Sequence, residues 1–389
     1  MARHWQSRQV TVDAEPLARL RQRTSEKWSL YPEDVLPLFV AETDYPLAPP
    51  IAAALHAAID RGDTGYIGED DRAKSAFARY AHDTWGWEVD PAAVLTTTDV
   101  SVVIVEALRM LIAPGDGVVI TPPVYPPFYE FIPEAGGVVE EVPLLDDGTT
   151  WSLDLAGLER AFAGGARALL LCHPHNPLGL VHPRADLEAV AALAARYDVA
   201  VVSDEIHAPL THSDETFTPF LSVSDAARSV GVAAHSASKA WNLAGVKCAL
   251  MVAASPARAV QLHALPVEVE VRTSLLGRIA TEAAFDDSRS WLAGTLESIE
   301  ANRALFGQLL ATHLPEAVYR EPHASYLAWV DFRGLGWGDE PAERILAEAR
   351  VALVRGLDFG REGAGFARVN LACSPEVLTE AVERIARLR

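Results

Sequence analysis

The sequence predicts an α/β fold with two parts: a large domain built on a mostly parallel sheet sandwiched by helices, and a smaller α+β domain. In the middle of the chain, short β-branched runs alternate with amphipathic helical patterns, as in parallel sheets whose strands are joined by helices. These runs are continuously apolar, which is typical of strands covered on both faces. Toward the C-terminus the pattern changes to short strands flanked by helices, which indicates the smaller domain.

Buried strands of the large domain are predicted at residues 118–121, 168–172, 199–202 and 248–252. Between the second and third of them, Leu187, Val190, Ala191 and Ala194 recur at the spacing of one helix face. Ligands of such sheets bind beyond the carboxyl ends of the strands. We therefore expect a site where these strands end.

The smaller domain is predicted from strands at residues 326–330, 351–354 and 366–372 and from a final helix after Pro375. The proposed division is residues 1–45 as an N-terminal segment that joins the small domain, 46–275 as the large cofactor-binding domain, and 276–389 as the small domain.

Composition narrows the function classes. The formal net charge of −20 disfavours nucleic acid and anionic membranes as partners, because both repel a negative protein. The longest apolar runs, such as residues 248–254, fall short of the ~20 residues that a membrane span needs. Residues 1–8 contain no apolar signal core, and Cys172, Cys248 and Cys373 show no paired spacing. We expect a cytoplasmic protein with reduced cysteines.

Lys239 and Asp204 point to pyridoxal 5'-phosphate as the cofactor. Lys239 ends the string Ser-Ala-Ser-Lys, 35 residues (239 − 204) after Asp204, which itself ends an apolar run. This cofactor needs an amine to hold its aldehyde as an imine, hydroxyls for its phosphate and a carboxylate for its pyridine nitrogen. Lys239 would also move the Cα proton. Taken alone, Asp204 could equally be a helix N-cap.

Three further residues are expected around the cofactor ring. Asn176, in a proline-rich turn, can donate to the phenolate oxygen, and His207 can reach the same edge. Tyr125 can stack on the ring, although it could also simply pack among prolines. His173, His175 and His207 could instead bind a metal, but no metal is expected, because prolines intervene and no cysteine or carboxylate cluster accompanies these histidines.

Phosphate-binding residues are predicted in two segments. Ser236 and Ser238 supply hydroxyls, and Lys247 adds positive charge. Val100 and Ser101 open an apolar helical run, and the backbone N–H groups at such a helix start bind phosphate. The preceding Asp99 either caps that helix or places a negative charge beside the phosphate.

Together these motifs resemble the fold-type I pyridoxal-phosphate enzymes of the aminotransferase class I/II superfamily. The chain is most similar to the MalY/PatB-type cystathionine β-lyase group. The motifs that carry this resemblance span nearly the whole chain: residues 36–45, 65–66, 124–128, 173–179, 203–207, 236–239, 242–245 and 368–372. The run Asp-Glu-Ile-His at 204–207 is the most discriminating, because aminotransferases usually have tyrosine in the place of His207.

The resemblance implies the aspartate aminotransferase-like fold and a homodimer that shares its active sites. Tyr66 would reach the phosphate of the other subunit's cofactor, and Arg368 would bind the substrate α-carboxylate. The implied reaction is α,β-elimination from a cysteine S-conjugate such as L-cystathionine, which gives a thiol, pyruvate and ammonia. Departures from the family pattern fall at Phe39, Thr43 and Asp99, and Lys247 stands where arginine is common.

Two other functions remain open. A class I/II aminotransferase shares the same catalytic residues, and only His207 and its surrounding motif favour the lyase. A cofactor-loaded regulatory or binding protein is the third hypothesis. It predicts that Lys239→Ala abolishes turnover and leaves the biological effect intact.

Overall fold

The computed structural model describes residues 11–389; the predicted absence of a signal core in residues 1–8 lies outside them. The strands in this part of the chain are numbered in order: β1 Leu36–Pro37, β2 Val94–Thr97, β3 Gly117–Ile120, β4 Val138–Glu141, β5 Leu145–Asp146, β6 Trp151–Ser152, β7 Ala168–Cys172, β8 Ala200–Asp204, β9 Gly231–His235, β10 Ala249–Val252, β11 Val318–Tyr319, β12 Leu327–Asp331, β13 Val351–Ala352, β14 Val354–Arg355 and β15 Phe366–Asn370.

The α-helices of the same residues are α1 Leu17–Leu20, α2 Glu26–Ser29, α3 Pro49–Asp60, α4 Arg72–Trp85, α5 Val100–Leu111, α6 Phe128–Glu134, α7 Leu155–Ala163, α8 Arg184–Tyr197, α9 Asp225–Val230, α10 Pro256–His263, α11 Glu268–Val271, α12 Leu275–Asp287, α13 Arg289–His313, α14 Pro341–Arg344 and α15 Pro375–Ala386. None of the helices within residues 11–389 is both long and apolar enough to cross a membrane.

The main sheet has seven strands in the order β2-β10-β9-β8-β7-β3-β4. The five strands from β9 to β4 pair in parallel, and β10 pairs antiparallel with both of its neighbours. The predicted mostly parallel sheet is therefore confirmed. Because β10 is reversed, the carboxyl ends of β2, β7, β8 and β9 meet at one edge of the sheet.

The strands are continuously apolar because both faces of the sheet are covered. Leu169 and Leu171 of β7 pack into one apolar cluster and Leu170 into another on the opposite face. The predicted helix face of α8, carrying Leu187 and Val190, packs into the first of these clusters. Each fully buried aliphatic side chain stabilises the fold by about 1.5–3 kcal/mol.

One central strand of the main sheet runs opposite to its neighbours. The segment predicted as a strand at residues 248–252 is β10, which pairs antiparallel with β9; its apolar pattern assigned it no direction. Parallel neighbours are usually joined by a crossover that contains an α-helix. The connection at residues 236–248 instead contains one 3₁₀ turn, Ala244–Val246, and carries Lys239. Continuous apolarity indicates burial on both faces and does not determine strand direction.

A second sheet lies in the C-terminal part of the chain, with strand order β11-β12-β15-β14. Helix α15 packs on it through an apolar face, and Ser374 caps this helix by accepting a hydrogen bond from the Val377 N–H. The N-terminal segment meets the same part of the chain, because Leu36 of β1 pairs with Val351 of β13. The division at residues 45 and 275 stays a prediction.

Candidate active site

A cavity of about 210 Å³ lies at the edge where the parallel strands end. It gathers side chains from segments that are far apart in the sequence. Nine of the predicted site residues line it: Val100, Ser101, Tyr125, Asn176, Asp204, His207, Ser238, Lys239 and Arg368. The strand order thus brings together residues that the sequence separates by up to 268 positions (368 − 100).

Asp204 is the last residue of β8 and is almost completely buried. Its Oδ1 atom accepts a hydrogen bond of 3.2 Å from the Ile206 N–H. Burial raises the pKa of Asp204 to about 7, and the positive charge of Lys239 offsets only part of that effect. A buried carboxylate in this condition is suited to a cationic N–H partner in the cavity.

Lys239 follows β9 and points into the same cavity. Its Nζ atom lies 3.4 Å from the Ala41 carbonyl oxygen. Burial, reinforced by the positive charge of Arg368, lowers the pKa of Lys239 to about 8, against the opposing effect of Asp204. A substantial fraction of this amine is therefore neutral at physiological pH, as a nucleophile or base must be.

Arg368, on β15, closes the cavity from the C-terminal part of the chain. Its Nη1 atom donates to Asn176 Oδ1 and its Nη2 atom to the Phe39 carbonyl, both at 3.0 Å. The guanidinium lies 5.2 Å from the ring centroid of Phe359. Burial lowers the pKa of Arg368 to about 10. Its buried Nε–H has no hydrogen-bond partner within residues 11–389.

Asn176 is held from its other side by Cys172, whose sulfur lies 3.3 Å from the Asn176 backbone N–H and accepts its hydrogen bond. Cys172 is fully buried, which raises its pKa well above the ordinary thiol value. All three cysteines are free and buried. The Cys172 thiol also lies 3.6 Å from the Pro174 carbonyl and donates to it, so this side chain supports the turn through two hydrogen bonds.

Tyr125 and His207 complete the polar lining. Burial, and to a smaller extent the charge of Asp204, raises the pKa of Tyr125 to about 12. Burial lowers the pKa of His207 to about 3, with further contributions from Lys239 and Arg368. His207 is therefore neutral, and no hydrogen-bond partner for its buried Nδ1 is found in the part of the chain that the structure describes. Both rings can face a flat heteroaromatic ligand without adding charge.

The residues predicted to bind phosphate divide into two groups. Val100 and Ser101 open α5 at the cavity edge, and Ser238 also lines it. Ser236 does not: its hydroxyl donates to the Cys248 carbonyl at 2.7 Å and accepts from the Ser238 N–H. Ser236 therefore shapes the loop that carries Lys239.

Lys247 and Tyr66 are also absent from the cavity lining. Lys247 forms an ion pair with Asp99, which does line the cavity. Tyr66 is fully exposed in the loop between α3 and α4. Its predicted role depends on a second copy of the chain.

Residues 39–43, which we name the active-site strap, contribute Val40 and Ala41 to the cavity wall; the sequence singled out this segment through resemblance only and gave its backbone no role. All five successive carbonyl oxygens accept hydrogen bonds from side chains of distant segments. The donors are Arg368 for Phe39; Asn370 for Val40; Lys239 and Tyr326 for Ala41; Asn370 and Lys27 for Glu42; and Asn242 and Arg23 for Thr43. No single motif signals such a set, because each donor is useful only once the fold brings it to the strap.

The histidines of the 173–179 turn bind backbone carbonyls. His173 Nε2 lies 3.0 Å from the Thr218 carbonyl and His175 Nε2 lies 2.8 Å from the Pro123 carbonyl. Within residues 11–389 no group of three or more His, Cys, Asp or Glu residues is arranged to hold a metal ion.

The cavity fits pyridoxal phosphate on the grounds of its donor set. It offers one amine of lowered pKa, one buried carboxylate that lacks a cationic contact partner, and a helix start for a phosphate. Within residues 11–389, Nε of Arg368 and Nδ1 of His207 are buried without a hydrogen-bond partner, whereas buried polar groups are normally paired.

The family model described as "Aminotransferase class I and II" matches residues 33–385. The chain belongs to this family. It is 44% identical to a protein of Mycobacterium leprae (strain TN) named "Putative cystathionine beta-lyase", over 97% of each chain. It is 34% identical to the cystathionine beta-lyase of Corynebacterium glutamicum, over 95% of this chain and 98% of that one.

Among solved structures, cystalysin from Treponema denticola, which contains a pyridoxal 5'-phosphate cofactor, superposes with a TM-score of 0.90 at 27% identity. The match covers 94% of this chain and 96% of that one. The predicted fold class of this class I and II family member is thereby confirmed.

Proposed function

We propose that this class I and II family member is a pyridoxal-phosphate-dependent carbon–sulfur β-lyase of the cystathionine β-lyase type. It would cleave L-cystathionine or a related cysteine S-conjugate to a thiol, pyruvate and ammonia. One observation carries the proposal: Lys239, Asp204 and Arg368 line a single cavity, in a chain that is 44% identical over its length to a protein named as a cystathionine beta-lyase.

Each residue has a task that its geometry supports. When bound, the cofactor supplies an electron sink for the bond changes at Cα and Cβ. Asp204 would hold the pyridine nitrogen, and Lys239 would hold the aldehyde carbon and then move the Cα proton. Arg368, which lines the cavity, would bind the substrate carboxylate through N–H groups of its guanidinium. Tyr125 and His207 would flank the ring, and Asn176 would contact its oxygen.

Val100, Ser101 and Ser238 would receive the phosphate at the N-terminus of α5. We further propose a cytoplasmic homodimer in which Tyr66 reaches the partner subunit's cofactor. The complete exposure of this aromatic ring, on a loop with glycines at 62, 65 and 68, supports a contact outside the single chain.

The test is a lyase assay on purified protein supplied with pyridoxal phosphate. L-Cystathionine and an S-alkyl cysteine are each added, and pyruvate is measured with coupled lactate dehydrogenase. We expect pyruvate from at least one substrate and none from Lys239→Ala. Visible absorbance and borohydride reduction followed by peptide mapping should place the cofactor on Lys239. Bound cofactor without pyruvate from any cysteine conjugate would remove the lyase proposal.

An aminotransferase is the second candidate, because the chain is also 27% identical to an aspartate aminotransferase of Thermotoga maritima over 91% of each chain. Its signature is conversion of the bound cofactor to the pyridoxamine form by an amino acid, reversed by a keto acid. The same preparations distinguish the two activities, since β-elimination leaves the aldehyde form in place. The regulatory hypothesis predicts a biological effect that survives Lys239→Ala.

A further inference from the structure

Asp99 sits at the point where the cofactor phosphate is expected. It is the residue before the first turn of α5 and lines the cavity together with Val100 and Ser101. Its side chain makes no capping hydrogen bond to the helix. Instead, both carboxylate oxygens lie 3.2 Å from Lys247 Nζ. The Asp99 carboxylate is thus already paired with Lys247, the cation that was predicted to bind the phosphate.

The backbone of Lys247 is fixed in place. Lys247 has a left-handed conformation with φ of 60°, which a residue other than glycine rarely adopts. Its carbonyl accepts from the Ser274 N–H, and Gly277 packs so closely that an added Cβ would lie 2.8 Å from the Lys247 oxygen. The side chain that reaches Asp99 therefore starts from a constrained backbone position.

A phosphate at the start of α5 has to share Lys247 with Asp99. An anion in hydrogen-bond contact with this ammonium lies within about 6 Å of the carboxylate. The helix start contributes only about half a positive charge. Against a phosphate dianion, a carboxylate at that distance costs about tenfold in affinity even at the permittivity of water. The pair is partly exposed, 51% for Lys247 and 33% for Asp99, so its own attraction is weak.

We propose that Asp99 is an affinity-limiting residue of the phosphate subsite: it competes with the cofactor phosphate for Lys247 and weakens cofactor binding. The proposal rests on the proposed function only in taking pyridoxal phosphate as the ligand. It assigns opposite effects to the two members of one ion pair. Removing the carboxylate should strengthen cofactor binding, and removing the ammonium should weaken it.

The experiment measures Kd of the full-length apoprotein for pyridoxal phosphate by quenching of tryptophan fluorescence. Wild type, Asp99→Asn and Lys247→Gln are compared, with circular dichroism to verify folding. We expect a Kd about tenfold lower for Asp99→Asn and about tenfold higher for Lys247→Gln. The inhibition constant of inorganic phosphate, obtained from its competition with the cofactor and corrected for the cofactor Kd of each variant, should likewise be about tenfold lower for Asp99→Asn than for wild type.

Two controls separate a local effect from a general one. Pyridoxal, which lacks the phosphate, should bind wild type and Asp99→Asn equally. Glu188→Gln removes another ion-paired carboxylate, on α8 and outside the cavity lining. It should leave the Kd for pyridoxal phosphate and the Kd for pyridoxal unchanged. An unchanged or higher Kd of Asp99→Asn for pyridoxal phosphate would overturn the proposal, as would an equal gain for pyridoxal. If wild type binds no cofactor at all, the proposed function fails instead.

Discussion

Substitution of Asp204 should expose a conflict between stability and cofactor binding. Burial raises the pKa of this carboxyl from its ordinary 3.8 to about 7. Because the folded protein then binds the proton more tightly than the unfolded chain, ionised Asp204 destabilises the fold. The cost is absent below about pH 4 and complete above about pH 7. At 1.36 kcal/mol for each pH unit, it reaches about 4 kcal/mol.

Asp204→Asn removes this dependence on pH. Relative to wild-type apoprotein, its free energy of unfolding should rise by about 3 kcal/mol between pH 5 and pH 8. Any fixed cost of the new amide is the same at both pH values and cancels from that difference. The measurement is urea unfolding of both apoproteins at the two pH values, followed by fluorescence and circular dichroism.

Asp225→Asn, a substitution at a side chain that is 95% exposed, controls for simple loss of a negative charge. Adding pyridoxal phosphate should reverse the order of stability at pH 8, because only the wild-type carboxylate can pair with the pyridine nitrogen. The reasoning would be refuted if the free energy of unfolding of Asp204→Asn minus that of wild-type apoprotein stayed constant with pH or decreased toward pH 8.

Three further results are expected. Arg368→Lys should lower kcat/KM about 100-fold, mostly through KM, because an ammonium cannot reproduce the planar fork; steady-state kinetics across substrate concentrations decide this. Lys27→Met should destabilise the fold by about 3–5 kcal/mol, since it leaves the buried Asp44, now 2.7 Å from Lys27 Nζ, without a partner. In urea unfolding, the double variant Lys27→Met/Asp44→Leu should recover most of the lost stability. A Lys27→Met variant as stable as wild type would contradict the argument. Covalent capture of pyridoxal phosphate by the apoprotein should accelerate up to about pH 8 and then level off, following the pKa of Lys239; a rate that still climbs toward the ordinary lysine value of 10.5 would exclude a lowered pKa. Stopped-flow absorbance measures it.

The sequence was informative where function depends on neighbouring residues. Asp204 ends an apolar run and Lys239 shortly follows another, so their place at the sheet edge followed from local pattern alone. Strand β4 was not predicted, because this edge strand carries Glu140 and Glu141 and has no continuous apolar run. The direction of β10 could not be predicted, because it depends on the geometry of the connection at residues 236–248, which amino-acid composition does not determine.

The remaining features depend on pairs of residues that are distant in the chain. Asp99 and Lys247 are 148 positions apart, and nothing in either segment signals the ion pair. Arg368 was expected at the site through resemblance, and its hydrogen bonds to Asn176 and Phe39 emerge only when both parts of the chain are folded. Ser236 shows the converse: a suitable residue type in a suitable motif, but with its hydroxyl directed into the loop.

The active-site strap has a consequence for the order of folding during synthesis. Two of its side-chain donors, Arg368 and Asn370 of β15, lie 329 and 330 positions after the carbonyl groups that they bind. Residues 39–43 therefore leave the ribosome long before these donors do. A nascent chain can assemble the sheet around Lys239 while the strap still lacks its hydrogen bonds to β15, and the pocket is completed only once β15 has been synthesised.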